Sequence, residues 1–305
     1  MTDTLPGLPA GGDAATASTV AVVIASAGRA GLLADVVDDV RAQSGVEVHA
    51  VVSVPDQGSL PAADHLSGWQ VVVGTRGLAA QRNAALDVLD DADLVFFFDD
   101  DAVVRSDYVA RGVAFFAEHP EVVGLTGRVL LDGATSGEIP TEVAAAAIEG
   151  STNQPITGAW QPTRELYGCN FAYRRSAAPD LRFDGRLPLY SWLEDHDFAR
   201  RLMRVATLAR VEDCVIVHRA ASSGGRQAHA RLGYSQMMNP VYLWRKGSFP
   251  LWLAAHEIVW RTGKNLVYSV AGGQSSWRRE RLRGNALAVW DVLRGRLTPE
   301  RILEL

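Results

Sequence analysis

The stretch Leu94–Val104, LVFFFDDDAVV, runs five apolar residues straight into three adjacent aspartates. An uninterrupted apolar run of this kind has both faces buried, the pattern of a strand inside a sheet covered on both sides. Three like charges at its end repel one another unless a cation or water screens them. In an extended strand end the side chains alternate, which sends Asp99 and Asp101 to one side and Asp100 to the other. Two carboxylates on one side suit a hard divalent cation, Mg2+ or Mn2+, with positions left over for phosphate oxygens or water. The alternative is a solvated loop in which Asp100 or Asp101 caps a turn.

Upstream, short apolar runs alternate with helical periodicity. STVAVVIAS (18–26) reads as a buried strand. The next segment is a helix with Leu32, Leu33, Val36, Val37 and Val40 at helical spacing and Gly45 as its stop. VEVHAVVSV and WQVVV are the second and third strands, and GLAAQRNAALDVL is a helix with Leu78, Ala85 and Leu89 near one face. This alternation predicts an α/β fold with a doubly wound, mostly parallel mixed sheet flanked by helices. Ligands of such sheets gather at the carboxyl ends of the strands, where the triple aspartate stands.

Further on, VVGLTGRVLLDG, LYGCNFAYRR and CVIVH read as strands, and WLEDHDFARRLMRV as a helix. From about residue 240 the chain turns helical, aromatic and basic, with five of the eight Trp. The expected division is a disordered leader at 1–18, a domain at 19–240 with halves at 19–130 and 131–240, and a helical extension at 241–305.

At 305 residues and net charge −5, the chain has ample capacity for a core and is no general nucleic-acid binder. Cys169 and Cys214 lack metal-type spacing, which points to a reduced, cytoplasmic setting and away from zinc. The first residues have neither a basic nor an apolar signal region, and no run is long enough to span a bilayer.

Seven segments, in order over residues 19–230, resemble the family-2 glycosyltransferases of GT-A fold. VVIASAGRAGLL is similar to that family's first strand and turn, keeping Ser26 and Arg29, while Ala25, Ala27 and Gly28 depart from its commoner Pro, Tyr and Asn. PDQGS resembles its D-x-G-S turn, RGLAAQRNAAL its R-N helix and FFFDDDA its DxD segment. GCNFAYRRSA resembles its acceptor-half strand, WLEDHDFARRL its E-D-x-D helix and VHRAASSGG its late His loop.

The resemblance implies transfer of a sugar from a nucleotide-diphosphate sugar to a hydroxyl of a saccharide or lipid-linked saccharide, in cell-surface or exported polysaccharide synthesis. It implies nucleotide contacts at Ser26, Arg29, Asp56, Arg82 and Asp100, and metal ligands at Asp99, Asp101 and His218. Asp56 reads equally as an Asx turn, Arg82 as a partner of Asp87, and His218 as a structural strand-end histidine. Glu194, Asp195 and Asp197 crowd the first turn of a helix, where acids complement the macrodipole and Asp197 can pair with Arg201. By resemblance Asp195 is the general base, with Glu194 and Trp192 at the acceptor. Displacement from the far side would invert the anomeric centre.

The Trp- and Arg-rich extension has two readings: helices packed on the sheet, or a peripheral platform at the inner face of the cell membrane. Two alternatives to glycosyl transfer are a nucleotidyltransferase and a degenerate sugar-nucleotide-binding protein. The first lacks its Gly-rich basic loop, since ASAGRAGLL imitates one poorly. The second has no need of the acids at 194 and 195.

Overall fold

The computed structural model describes residues 18–221, 228–270 and 275–305. The expected leader, all but its last residue, and the Ser-bearing loop at 222–224 lie outside that set. The first half runs β1 (Val20–Ala25), α1 (Ala30–Arg41), β2 (His49–Val54), β3 (Gln70–Val73), α2 (Leu78–Leu86), β4 (Leu94–Asp99), β5 (Ala102–Val104) and α3 (Tyr108–Glu118). Then come β6 (Val122–Asp132), α4 (Gly133–Ser136), α5 (Thr141–Thr152), β7 (Trp160–Thr163), β8 (Asn170–Arg174), α6 (Glu194–Leu202) and β9 (Thr207–His218). Three helices close the chain: α7 (His229–Lys246), α8 (Leu251–Val270) and α9 (Ser275–Leu293).

The strands form one mixed sheet in the order β3-β2-β1-β4-β8-β6-β9-β5, with β7 paired to β9. β1, β2, β3 and β4 run parallel, whereas β8 enters antiparallel between β4 and β6. The apolar run of β4 is central and divides its side chains between two layers, as its alternation requires. Leu94, Phe96 and Phe98 face α1 and α3, where Tyr108 meets Phe98 edge-on at 5.1 Å between centroids. Val95 and Phe97 face the other layer, where Phe97 stacks on Phe171 at 4.8 Å. Truncating one such ring to Ala costs about 3–5 kcal/mol.

Registers decide what meets at the strand ends. Ala25 lies beside Asp99 and Ser53, so the turns after β1, β2 and β4 share one edge. Ala102 and Asp132 both pair with His218, which brings β6 and β9 to the aspartates.

The boundary expected at 240/241 falls inside α7, which runs through Pro240, so the helical extension starts at His229. α7, α8 and α9 pack on one another. Gly233 and Gly284 let α7 and α9 approach so closely that a Cβ on either would collide with the other's backbone. The bundle docks on the segment before α6 through Tyr242, Leu243, Phe249 and Leu253 against Leu187 and Leu193. The Lys246 ammonium closes the contact at 2.9 Å from Asp197, which also takes Arg201 at 2.9 Å. Among the described residues no helix is long and apolar enough to cross a membrane.

Candidate active site

β4 ends at Asp99, and Asp100 and Asp101 form a turn rather than continuing the strand. Strand alternation therefore does not apply here, and it is the turn that keeps Asp99 and Asp101 together. With His218 they offer ligand atoms within 4.8 Å of one another, a group that could hold a metal ion. Two carboxylates and an imidazole suit Mn2+ and also accept Mg2+. His218 is turned for this role. Its Nδ1 lies 2.8 Å from Asp132 and its Nε2 faces Asp101 at 3.6 Å, so donation to Asp132 leaves Nε2 as the acceptor. Partial burial works against ionisation of Asp132, but hydrogen bonds from His218, Tyr167 and the Ala134 N–H hold it down at about 2. Asp132 and Tyr167 were not singled out from the sequence; an acid closing the run VLLD is the one signal that could have found the first.

Asp100 belongs to a different group. It is buried, accepts the Ser26 hydroxyl at 2.5 Å and pairs with Arg29, which reaches Asp101 at 3.3 Å. Burial and the charge of Asp101 push Asp100 up to about 7 against the pull of Arg29. Gln81 holds the local backbone by donating to the carbonyls of Ser26 and Ser53 at 2.7 and 2.8 Å. Asp56 sits at the head of a 3-10 turn, accepting the Ser59 hydroxyl at 3.1 Å. Ser59 also accepts the Gly28 N–H at 2.9 Å, tying the first two turns together.

Arg82 is buried, and Asp87, its alternative partner by sequence, pairs instead with Arg182. The Arg82 guanidinium meets Glu194 at 2.8 Å, Asp99 at 3.0 Å and the Gly168 carbonyl at 2.7 Å. Three of its five N–H donors are thus taken by protein groups, and Arg82 also lines the cavity described below. Glu194, expected at the acceptor, is buried against Arg82 and is among the residues that line the same cavity. Burial and the neighbouring Asp195 charge push its carboxyl well up, with Arg82 opposing them.

Asp195 stands apart from that lattice. Its carboxylate accepts the Gly168 N–H at 3.0 Å and the His196 N–H at 2.8 Å, at the positive end of α6. A Cβ on Gly168 would lie 2.9 Å from Oδ2, so admitting one would require the Asp195 carboxylate to shift. The segment leading into α6 is strained: Leu189, Ser191 and Leu193 all have positive φ, at 58°, 52° and 73°. It is held against α2, where the Leu189 carbonyl accepts the Leu78 N–H at 2.8 Å and Ser191 Oγ accepts the Ala79 N–H at 3.2 Å.

Asp99, Asp132, Trp192, Asp195 and His218 line one cavity of about 660 Å³. Ser26, Arg29, Asp56 and Asp100 are not among its lining residues, so the expected contacts divide between the cavity and the β1–β2 turns. The wall opposite the sheet comes from the extension: Gln236, Arg261, Lys264, Asn265 and Arg278 among others. Sequence reasoning did not assign these residues to the site, because helical segments of basic and aromatic composition look alike whether they face solvent, lipid or a cavity.

The description "Glycosyl transferase family 2" matches residues 21–182, more than half of the chain. The chain belongs to that family. In this glycosyltransferase the matched span contains the turns after β1 and β2, the triple aspartate, Asp132 and Gly168, while Asp195 and His218 lie beyond it. No curated protein matches the chain in sequence. Among solved structures it is similar to the mannosyltransferase PcManGT from Pyrobaculum calidifontis in complex with GDP-Man and Mn2+ (16% identity, TM-score 0.57, covering 89% of this chain and 87% of that one). It is also similar to residues 1–349 of S. aureus TarS (15% identity, TM-score 0.56, 93% and 82%). A third is glucosyl-3-phosphoglycerate synthase from Mycobacterium tuberculosis, in complex with Mn2+, UDP and glucosyl-3-phosphoglycerate (19% identity, TM-score 0.50, 77% and 82%). At these identities the likeness establishes the GT-A fold.

Proposed function

We propose that this glycosyltransferase moves a sugar from a nucleotide-diphosphate donor to an acceptor hydroxyl with inversion, Asp195 acting as general base. The observation carrying this reading is the placement of Asp195: it lines the same cavity as Asp99 and His218 of the metal-type cluster, and its carboxylate is fixed by the Gly168 N–H at 3.0 Å. The acceptor oxygen bonds to the anomeric carbon, the bond to the diphosphate oxygen breaks with its electron pair, and the acceptor proton passes to Asp195. Asp99, Asp101 and His218 would hold Mg2+ or Mn2+, which when bound supplies charge stabilisation to the departing diphosphate. Ser26, Arg29, Asp56 and Asp100 form the nucleotide side. Arg82 and Glu194 set the geometry between the two sides, and Trp192 offers its face to a saccharide.

The acceptor is a saccharide, free or lipid-linked, of the kind assembled at a cell surface. Support for lipid contact comes from α8, whose outer face exposes Leu251, Trp252, Val259, Trp260, Leu266 and Val267. Residues 241–305 also carry eleven Lys and Arg against five Asp and Glu, which favours an anionic bilayer. Co-sedimentation with anionic vesicles should be lost in a Trp252→Ser, Trp260→Ser variant; equal binding by both proteins refutes the contact.

A thermal-shift panel of nucleoside diphosphates with and without Mn2+ tests the donor side. One nucleotide should stabilise only with the metal, and Asp99→Asn should abolish that shift. No shift with any nucleotide overturns the reading. Asp195→Asn should retain the shift and lose transfer.

A further inference from the structure

We propose that the helical wall of the cavity is a binding subsite for a phosphate carried by the acceptor, formed by Arg261, Lys264 and Arg278. The inference rests on the glycosyl-transfer reading, whose acceptor side it specifies. These three cations line the same cavity as Asp195 and Trp192, whereas Ser26, Arg29, Asp56 and Asp100 do not. The positive charge therefore shares a cavity with Asp195, and with Asp99 and His218, but not with the nucleotide turns.

The wall is built rather than incidental. Where α7, α8 and α9 meet, Asn265 is fully buried and donates to Gln236 at 3.0 Å and Asn285 at 3.2 Å, both of them also buried. Asn285 in turn donates to the Gly233 carbonyl at 2.6 Å. The remaining Asn265 oxygen accepts Arg278 Nη1 at 3.0 Å. A buried amide network is costly unless fully satisfied, and this one ends by aiming a guanidinium at the cavity wall.

The other two cations are also held without being neutralised fully. Arg261 lies 4.9 Å from the Trp192 ring centroid and, among the described residues, pairs with one acid, Glu257 at 3.5 Å. Lys264 stands 4.4 Å over Trp260, and Arg278 stands 4.0 Å over Trp277. An aromatic face stabilises a cation while leaving its charge available. Two planar forks and one ammonium match the oxygens of a phosphate better than the hydroxyls of a neutral glycan. The cavity's other acids, Asp99, Asp132, Glu165, Glu194 and Asp195, lie away from the helical wall and would repel such a group towards it, while on the wall Glu257 stands against the three cations.

The phosphate could belong to a small phosphorylated saccharide or to a lipid-linked one, and the test separates them. The full-length chain is titrated calorimetrically with glucose 6-phosphate against glucose. In a parallel arm it is titrated with phosphatidylcholine vesicles with and without a polyisoprenyl phosphate. Both arms are run with and without Mn2+ and the nucleoside diphosphate that it binds. At least one phosphate probe should bind 10-fold or more tightly than its neutral counterpart. Lys264→Gln should weaken that binding at least threefold, and Lys264→Gln with Arg261→Gln at least 10-fold, with nucleotide affinity unchanged within twofold. Preference in the first arm assigns the soluble source, and preference in the second the lipid source. Equal binding of phosphate and neutral probes overturns the proposal, as does a parallel loss of nucleotide affinity, which would give the wall to the donor. Absence of nucleotide binding refutes the glycosyl-transfer reading separately, because the phosphate titration without nucleotide still reports on the wall.

Discussion

The sheet ends and the helical wall treat charge in opposite ways. At the sheet ends nearly every charge meets its opposite: Arg82 with Glu194 and Asp99, Arg29 with Asp100 and Asp101, His218 with Asp132. On the wall, Lys264 and Arg278 rest on aromatic rings, and Arg278 is steered by a neutral amide. Pairing of the first kind fixes geometry, since each buried ion holds its partner in one place. Support of the second kind leaves charge for something that arrives. The contrast separates a part of the site held by paired charges from a part whose cations rest largely on aromatic rings.

Breaking the sheet-end lattice should have the largest effect. Arg82→Met leaves Glu194 buried without its cation, and a loss of about 3–5 kcal/mol is expected in urea unfolding. A loss below about 1 kcal/mol would show that the lattice is not holding its ions in place. Gly168→Ala is the next test. Its Cβ would press on the Asp195 carboxylate, so transfer should fall about 100-fold while nucleotide and Mn2+ binding persist. Unchanged turnover would remove Gly168 from the mounting of Asp195.

Asp39 sharpens the comparison as an exception on the sheet side. It accepts the Val104 N–H at 2.9 Å, but burial and the charges of Asp35 and Asp38 raise its pKa to about 6. A raised carboxyl binds its proton more tightly in the folded state, so this contribution falls as pH rises from about 4 to about 6. Asp39→Asn should therefore stabilise by about 1–2 kcal/mol at pH 7 and leave pH 4 stability unchanged, as thermal unfolding at both values would reveal. The smallest effect belongs to the outer face of the wall. Trp260→Ser should alter stability by less than about 1 kcal/mol, because Trp260 is 54% exposed. A larger loss would mean that this face is part of the core.

The sequence carried the first half of the fold legibly, because Leu33, Val36, Val37 and Val40 repeat at helical spacing and LVFFF has no polar break. The coming together of Asp99, Asp101 and His218 was legible through resemblance, since nothing local says that residue 218 pairs beside residue 102. Arg82 shows where local reading stops. Its position on α2 was plain, but its partners Glu194 and Gly168 lie more than eighty residues away and depend on the tertiary path. The wall was hidden for a similar reason. Composition identified Trp and Arg, whereas the junction of Gln236, Asn265 and Asn285 exists only once three helices meet.

The left-handed run at Leu189, Ser191 and Leu193 has a consequence for laboratory evolution. Glycine would suit all three backbone positions better, so a library screened for heat resistance should readily accept it there. Yet Ser191 supplies the hydroxyl that seats the start of α2, and Leu193 is buried where the terminal bundle docks. Variants enriched by such a screen would be sturdier proteins with a looser mount for Asp195. Selection for endurance and selection for turnover should therefore diverge at these three residues before they diverge in the core.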